Sequence, residues 1–483
     1  MLIDTTPPTA ENSPRERPWV TFSVLAATAA LTILDVSKVG VALPAIQQST
    51  GGSESAIQFM LVGYTIAYAL FLLPSGRLGD VLDRKRVFLV GSFVFIGASI
   101  LCALAPDANW LVAGRLLQGA GAGILMPQVL GIIQRVFPAG ERTKPLAILA
   151  AILAATSTFG PVIAGVVMQA VGSADSWRAL FWINVAVGAV VVPLAWRFVH
   201  EPRTEKRRGF DAVGAALLVP AVALTIFPLS TISSTSAPAP WMLGVTAVGL
   251  IFGVLFIRHE LRLSRGETQP LVDPSLFRIH HLPSGLAIAA LSYAAGTASA
   301  LITTLTLQQA VGQTPLETAL WMLPAAGAAL AGSWIMARLP ESKSYRLIAI
   351  GALIGTISLL AISISISAVP AGWLPLAVCI ALVGNSFGAA LVGAANQART
   401  LLDVPAFRSS IAGSLIQFSQ RVGSAIGMAL AMILYYVLQV VEVPWSGRPT
   451  LGPTLAIALT AVFTAAAFVI ALADRDRRAE TVR

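Results

Sequence analysis

Apolar runs of about 20 residues recur along the whole chain, each long enough to cross roughly 30 Å of hydrocarbon as a helix. Read between charged clusters, they fall at about 19–46, 56–76, 87–106, 110–134, 145–171, 179–199, 212–230, 240–258, 284–309, 316–338, 346–368, 373–397, 408–440 and 452–473. The remainder of the chain is too small and too poor in charge to cover a soluble body. Of 483 residues, 11% are charged and 56% hydrophobic, where a soluble surface of this size needs about a quarter charged. The period-two alternation of a membrane barrel is absent. The fold class expected is therefore all-α and integral to the membrane, with about fourteen transmembrane helices.

The net charge of +9 does not point to nucleic acid, because the basic residues never gather on one face. They sit between apolar runs, at Arg77–Arg86, Arg135–Lys144, Arg197–Arg208, Arg258–Arg278, Arg338–Arg346, Arg399–Arg408 and Arg475–Arg478. The loops on the opposite side carry almost no Lys or Arg, with Arg178 and Arg448 as exceptions. This alternation is the positive-inside pattern and puts both termini in the cytoplasm. The expected location is the cell inner (plasma) membrane. The first run, from Trp19 to Pro44, is too long for a signal-peptide core and is expected to stay as a span. Cys102 and Cys379 both lie in apolar runs and read as small core residues; neither a disulfide framework nor a CxxC metal pattern is available.

The spans group as six, two and six. The expected organisation is a tail at 1–18, a six-helix bundle at 19–200, two linker helices with their loops at 201–283, a second six-helix bundle at 284–473, and a tail at 474–483. Two equal halves suggest the duplicated architecture of secondary transporters, with a binding site between the halves near the midplane.

Within the first span, Asp35 and Lys38 are three residues apart and share a helix face. An ionised group deep in a membrane is costly, so it faces a cavity or a partner and is a functional candidate by default. A structural Asp35–Lys38 ion pair is the competing reading. After the second span comes Gly76-Arg-Leu-Gly79-Asp80, followed by Arg84, Lys85 and Arg86. The glycines permit close helix approach. Asp80 can reach a helix N-terminus, where the dipole favours a carboxylate. The basic residues can pair with it or with lipid headgroups. In the fourth span, Arg115 and Gln118 precede Gly119, Gly121 and Gly123. No strand precedes these glycines, so they read as a packing stripe and not as a nucleotide loop. In the fifth span, Gly160-Pro161 predicts a kink and Gly165 a tight contact.

In this order and spacing, these segments resemble the major facilitator superfamily. Gly76 to Lys85 looks like its cytoplasmic loop signature, with Asp83 where Gly is usual. Leu111-x3-Arg115-x2-Gln118-Gly119-x-Gly121 resembles its fourth-helix motif associated with proton coupling. Gly160-Pro161-x2-Ala164-Gly165 is similar to the antiporter motif. Leu34-Asp35 with Val41-Ala42-Leu43-Pro44, together with Trp177-Arg178 to Asn184, is similar to the fourteen-span drug:proton antiporter family. The resemblance implies two six-helix bundles rocking about a central cavity. Export of lipophilic or amphipathic small molecules (drugs, antibiotics or metabolites) would then be driven by proton entry, as in multidrug efflux and antibiotic resistance. It implies no cofactor beyond the proton gradient. The expected partners are a small-molecule substrate, protons and membrane lipids, with no nucleic acid, and the chain is expected to be a monomer.

On that reading Asp35 carries the proton, and Lys38 and Arg115 tune it. The excess of deep cations favours neutral, zwitterionic or anionic substrates. Gln118, Tyr64, Tyr68, Asn184, Tyr293, Gln309, Asn385, Gln417 and Arg421 are candidates for a substrate cavity, although each serves equally well in packing or interhelical hydrogen bonds. Two alternatives remain. One, still a transporter, is a dedicated metabolite uniporter or symporter without broad drug specificity. The other is a polytopic membrane enzyme, which would need a catalytic cluster at one membrane face. The four histidines, His200, His259, His280 and His281, all fall in loops without zinc-like spacing, so an enzyme is not expected and no metal site is assigned.

Overall fold

The computed structural model describes residues 18–138, 141, 143–199, 209, 211–228, 240–265, 270–336, 338, 344–404, 409–438 and 451–481. The expected N-terminal tail apart from Pro18, the last two residues of the expected C-terminal tail, and His200 lie outside these residues.

Fourteen helices follow one another: α1 (Pro18–Thr50), α2 (Glu54–Val81), α3 (Arg84–Ala103), α4 (Ala108–Val136), α5 (Thr143–Val171), α6 (Arg178–Phe198), α7 (Ala212–Ile226), α8 (Pro240–Leu263), α9 (Leu282–Leu305), α10 (Pro315–Met336), α11 (Ser344–Ala368), α12 (Leu374–Leu401), α13 (Ser409–Val437) and α14 (Leu451–Thr481). No strand occurs among the described residues. Twelve of the helices are long and apolar enough to cross a membrane. The two that fall short do so for different reasons. α5 is bent by 42° between Ser157 and Phe159, just before Pro161, whose ring and missing N–H disrupt the preceding turn. α7 has 15 residues, about 22 Å of helix at 1.5 Å per residue, short of the roughly 30 Å needed. The expected seventh span, 212–230, is thus four residues longer than its helix.

A second difference concerns Gly76–Asp80, expected in a loop. Gly76 and Gly79 lie inside α2, which continues to Val81. Glycine in a helix costs only about 1 kcal/mol, and nothing in Arg77-Leu-Gly-Asp-Val stops the helix. The real turn is Leu82–Asp83. Asp83 is the N-cap of α3, and its Oδ1 accepts a hydrogen bond from the Lys85 amide at 2.9 Å. A carboxylate there satisfies an amide at the helix start and complements the dipole.

Between lipid-bathed helices there is no hydrophobic drive to associate, so close van der Waals packing and interhelical hydrogen bonds decide who pairs with whom. In the first six helices α4 packs on α2 and α3, α1 on α5 and α6, and α3 on α6. The last six repeat this pattern in order: α12 on α10 and α11, α9 on α13 and α14, α11 on α14. The halves meet through α2 against α13 and α5 against α10, pairs that exchange when the halves are swapped. α7 and α8 form a hairpin, and α7 touches α2 and α13.

Candidate functional site

Close approach of three helices builds the site in the first half. Gly119 and Gly123 of α4 lie one turn apart and face α2, where an added Cβ would overlap the carbonyl oxygens of Tyr64 and Tyr68. Gly121 faces α3, with a Cβ position 2.6 Å from the Phe95 amide nitrogen. These contacts bring Tyr64, Ser99 and Arg115 to one depth. Pro127 cannot donate to the Gly123 carbonyl; the Ser75 hydroxyl does so instead at 3.0 Å.

Asp35 lies at the centre, fully buried with Lys38, Gln118, Asn184 and Ser99, and Arg115 is 1% exposed. Arg115 Nη1 donates to Asp35 Oδ2, and also to Gln118 Oε1 at 2.6 Å. Asp35 Oδ1 accepts from Asn184 Nδ2 at 2.6 Å and from Gln118 Nε2 at 3.2 Å. Lys38 Nζ donates to Asn184 Oδ1 at 2.5 Å and lies 3.5 Å from Asp35 Oδ1. Ser99 Oγ accepts from Gln118 Nε2 at 2.8 Å and from Asn184 Nδ2 at 3.2 Å. The Arg115 guanidinium stands 4.1 Å above the centre of the Tyr64 ring. Helices α1, α2, α3, α4 and α6 thus converge on one carboxylate and two cations, an excess of one positive charge in a site closed to water. Burial of charge is tolerable only with pairing of this kind; of these side chains only Arg115 leaves a buried polar atom, its Nε, without a hydrogen-bond partner.

The sequence-predicted residues therefore separate. Asp35, Lys38, Arg115, Gln118, Asn184 and Tyr64 come together. Ser99 joins them without any sequence signal, since serines in membrane helices are common. Tyr68 belongs to a second contact, between the halves: the Arg421 guanidinium of α13 lies 4.3 Å above its ring. Tyr293 is 38% exposed. Gln309 accepts from the Tyr435 hydroxyl at 3.0 Å. Asn385 lies half-buried on the α11–α12 face near Gly355, and Gln417 is half-buried on α13.

The signature after α2 acts on α4. A Cβ at Gly79 would overlap the Gln128 side chain, whose Nε2 donates to the Ser75 carbonyl at 2.7 Å. Gly76 makes an ordinary contact with Pro127. Arg84, 7% exposed, covers Gly131 and donates to the Pro127 carbonyl at 3.2 Å. Lys85 donates to the Trp196 carbonyl at 2.8 Å and ties α3 to α6. The Asp80 side chain lies outside the described residues. In α5, a Cβ at Gly160 would overlap the Ser37 hydroxyl of α1, and one at Gly165 would lie 2.7 Å from Leu316 Cα of α10. One glycine of this motif packs within the first half and the other across the halves.

Residues 25–428 match the profile described as Major Facilitator Superfamily. The chain belongs to the major facilitator superfamily. Over 433 residues it is 32% identical to a probable actinorhodin transporter of Streptomyces coelicolor, covering 88% of this chain and 74% of that protein. It is 28% identical to the tetracenomycin C resistance and export protein of Streptomyces glaucescens, covering 92% and 82%. The fold is shared with the crystal structure of a POT family transporter in complex with a thioalcohol-conjugated peptide (TM-score 0.69, 14% identity, 95% and 96% covered). Membership of this superfamily makes the chain a multi-span membrane transporter and not an enzyme, and small molecules are its substrates.

Proposed function

We propose that this facilitator is a fourteen-span drug:proton antiporter that exports lipophilic or amphipathic small molecules by alternating access, with Asp35 as proton carrier. The observation that carries the reading is the buried Asp35 carboxylate, held by Arg115, Asn184 and Gln118 with Lys38 beside it. For it to take a proton, Arg115 must withdraw, and Arg115 rides on α4, the helix that Arg84 and Gln128 tie to the α2–α3 turn. Proton binding at Asp35 is thereby coupled to movement of α4 against α1. The excess positive charge favours neutral, zwitterionic or anionic cargo. The basic clusters on alternate loops favour cytoplasmic termini, and the monomer is the transporting unit.

The reading is tested in proteoliposomes loaded with a pH-sensitive dye, comparing wild type with Asp35→Asn and Asp35→Glu. Proton movement that follows addition of a lipophilic anionic or neutral dye, is abolished by Asp35→Asn and partly kept by Asp35→Glu is the expected result. Substrate flux without proton movement in wild type would sink the antiport reading. It would favour a uniporter, in which Lys38 has replaced the exchanging proton as counter-charge.

A further inference from the structure

A groove of about 510 Å³ opens on the outer surface of the helices between α7 and the α2–α3 pair. Its walls include Leu70, Phe71 and Leu78 of α2, Leu82 of the turn that follows, Val90 of α3, and Ala215 and Ala216 of α7. The volume is that of a small-molecule site, yet Ser75 and Arg86 alone among its lining residues carry polar side chains. Two adjacent alanines on α7 leave the room that larger side chains would fill. Phe71 at 41%, Leu82 at 61% and Val90 at 56% exposure mark the rim as a surface facing hydrocarbon. Water has no partners in such a space, so the occupant has to be apolar along most of its length. From Leu82 to Leu70 the groove follows α2 for twelve residues, about 18 Å at 1.5 Å per residue, which suits an extended chain better than a compact ligand.

Arg86 sits at one end, beside Leu82 and the α2–α3 turn. Its side chain is 80% exposed and forms a loose ion pair with the Asp83 carboxylate, 3.9 Å from its Nε, a contact longer than a hydrogen bond and weakened by its exposure. Its guanidinium therefore presents a planar fork where a phosphodiester would sit above an inserted chain. We propose that this groove binds an anionic phospholipid, its acyl chain laid between α7 and α2–α3 and its phosphate held by Arg86. The lipid then fills the seam between the short helix α7 and the first six-helix unit, where direct protein contact is sparse.

The test is native mass spectrometry of the full chain released from nanodiscs containing equal phosphatidylglycerol and phosphatidylethanolamine. Wild type is expected to retain one phosphatidylglycerol preferentially. Arg86→Gln should lower that preference by roughly tenfold, the order of one charge-assisted contact, whereas Arg262→Gln at the end of α8 should leave it unchanged. Ala216→Trp, which fills the groove, should remove the bound lipid altogether. Unchanged preference in Arg86→Gln overturns the proposal, and this exposed substitution reads out even if the tryptophan variant does not fold. Unchanged retention in a folded Ala216→Trp protein also overturns it. So does displacement of the lipid by a lipophilic transport substrate at equal stoichiometry, which would make the groove a substrate path.

Discussion

Asn184 has the most demanding position of any single side chain in the site. Its amide nitrogen holds Asp35 and its oxygen holds Lys38, so one residue orients both charges. Asn184→Leu would leave the Lys38 ammonium with no acceptor closer than Asp35 at 3.5 Å. An unpaired buried donor costs about 1–3 kcal/mol, more when charged. The loss should shrink in Asn184→Leu/Lys38→Met, because the second change removes the orphaned charge. A coupling energy above about 1 kcal/mol in the double-mutant cycle, read from thermal or denaturant unfolding in detergent, is the expected outcome; simple additivity would show that Lys38 does not depend on Asn184. The charged members of this site were legible in the sequence because ionisable side chains in apolar runs need a reason. Gln118 and Asn184 were legible as polar but not as partners of Asp35, since a single sequence does not say which face of α4 or α6 meets α1. Ser99 gave no sign at all.

At the scale of elements, glycine position separates packing from tolerance. Gly119→Ala should cost roughly 1–3 kcal/mol as an overpacked α2–α4 contact, because its Cβ would overlap the Tyr64 carbonyl. Gly97→Ala in α3 meets nothing within 4 Å and should be neutral or slightly stabilising. Thermal unfolding of the pair checks this directly, and equal losses would contradict the stripe. A different element contact is set by charge. His281 precedes α9, is buried, and its Nδ1 lies 3.1 Å from Asp474 Oδ2 of α14, which also takes Arg399 Nη2 of α12 at 2.7 Å. Burial holds the His281 imidazole below its ordinary 6.5, Arg399 and His280 act in the same direction, and Asp474 and Asp403 oppose them. The folded protein therefore binds fewer protons here than the unfolded chain once the pH falls below about 6.5, so this contribution to stability is lost on acidification. His281→Gln should flatten the fall in unfolding temperature between roughly pH 7 and pH 5.5; an unchanged slope would place the effect elsewhere. The sequence could not foresee this contact, which joins residues 193 apart. Nor could it foresee that the Gly76–Asp80 signature is helical. The apolar runs located every helix because length and hydropathy suffice for that. They overran α7, whose α-helix ends at Ile226 inside the apolar run.

For the whole molecule, the interface between the halves is built from exchangeable pairs, α2 with α13 and α5 with α10. Such an arrangement lets one half rock on the other without repacking either interior, provided each pair can separate and close again. Closure of the α5–α10 pair rests on Gly165, whose missing side chain admits the Leu316 backbone, a Cβ there being 2.7 Å from Leu316 Cα. Near the same end of α1, Gln308 Nε2 donates to the Val41 carbonyl at 3.2 Å across the halves. Gly165→Val inserts bulk only into this seam and should keep it open while leaving the packing within each half intact. Transport should fall at least tenfold with helix content unchanged. A cysteine introduced as Val41→Cys, 2% exposed at present, should react faster with a membrane-impermeant maleimide in the Gly165→Val background. Faster labelling with lost transport would tie closure of this seam to the transport cycle. Lost transport with unaltered labelling would mean that the glycine serves local packing of α5, and rigid-body rocking about this seam would have to be abandoned as the way the site changes its access.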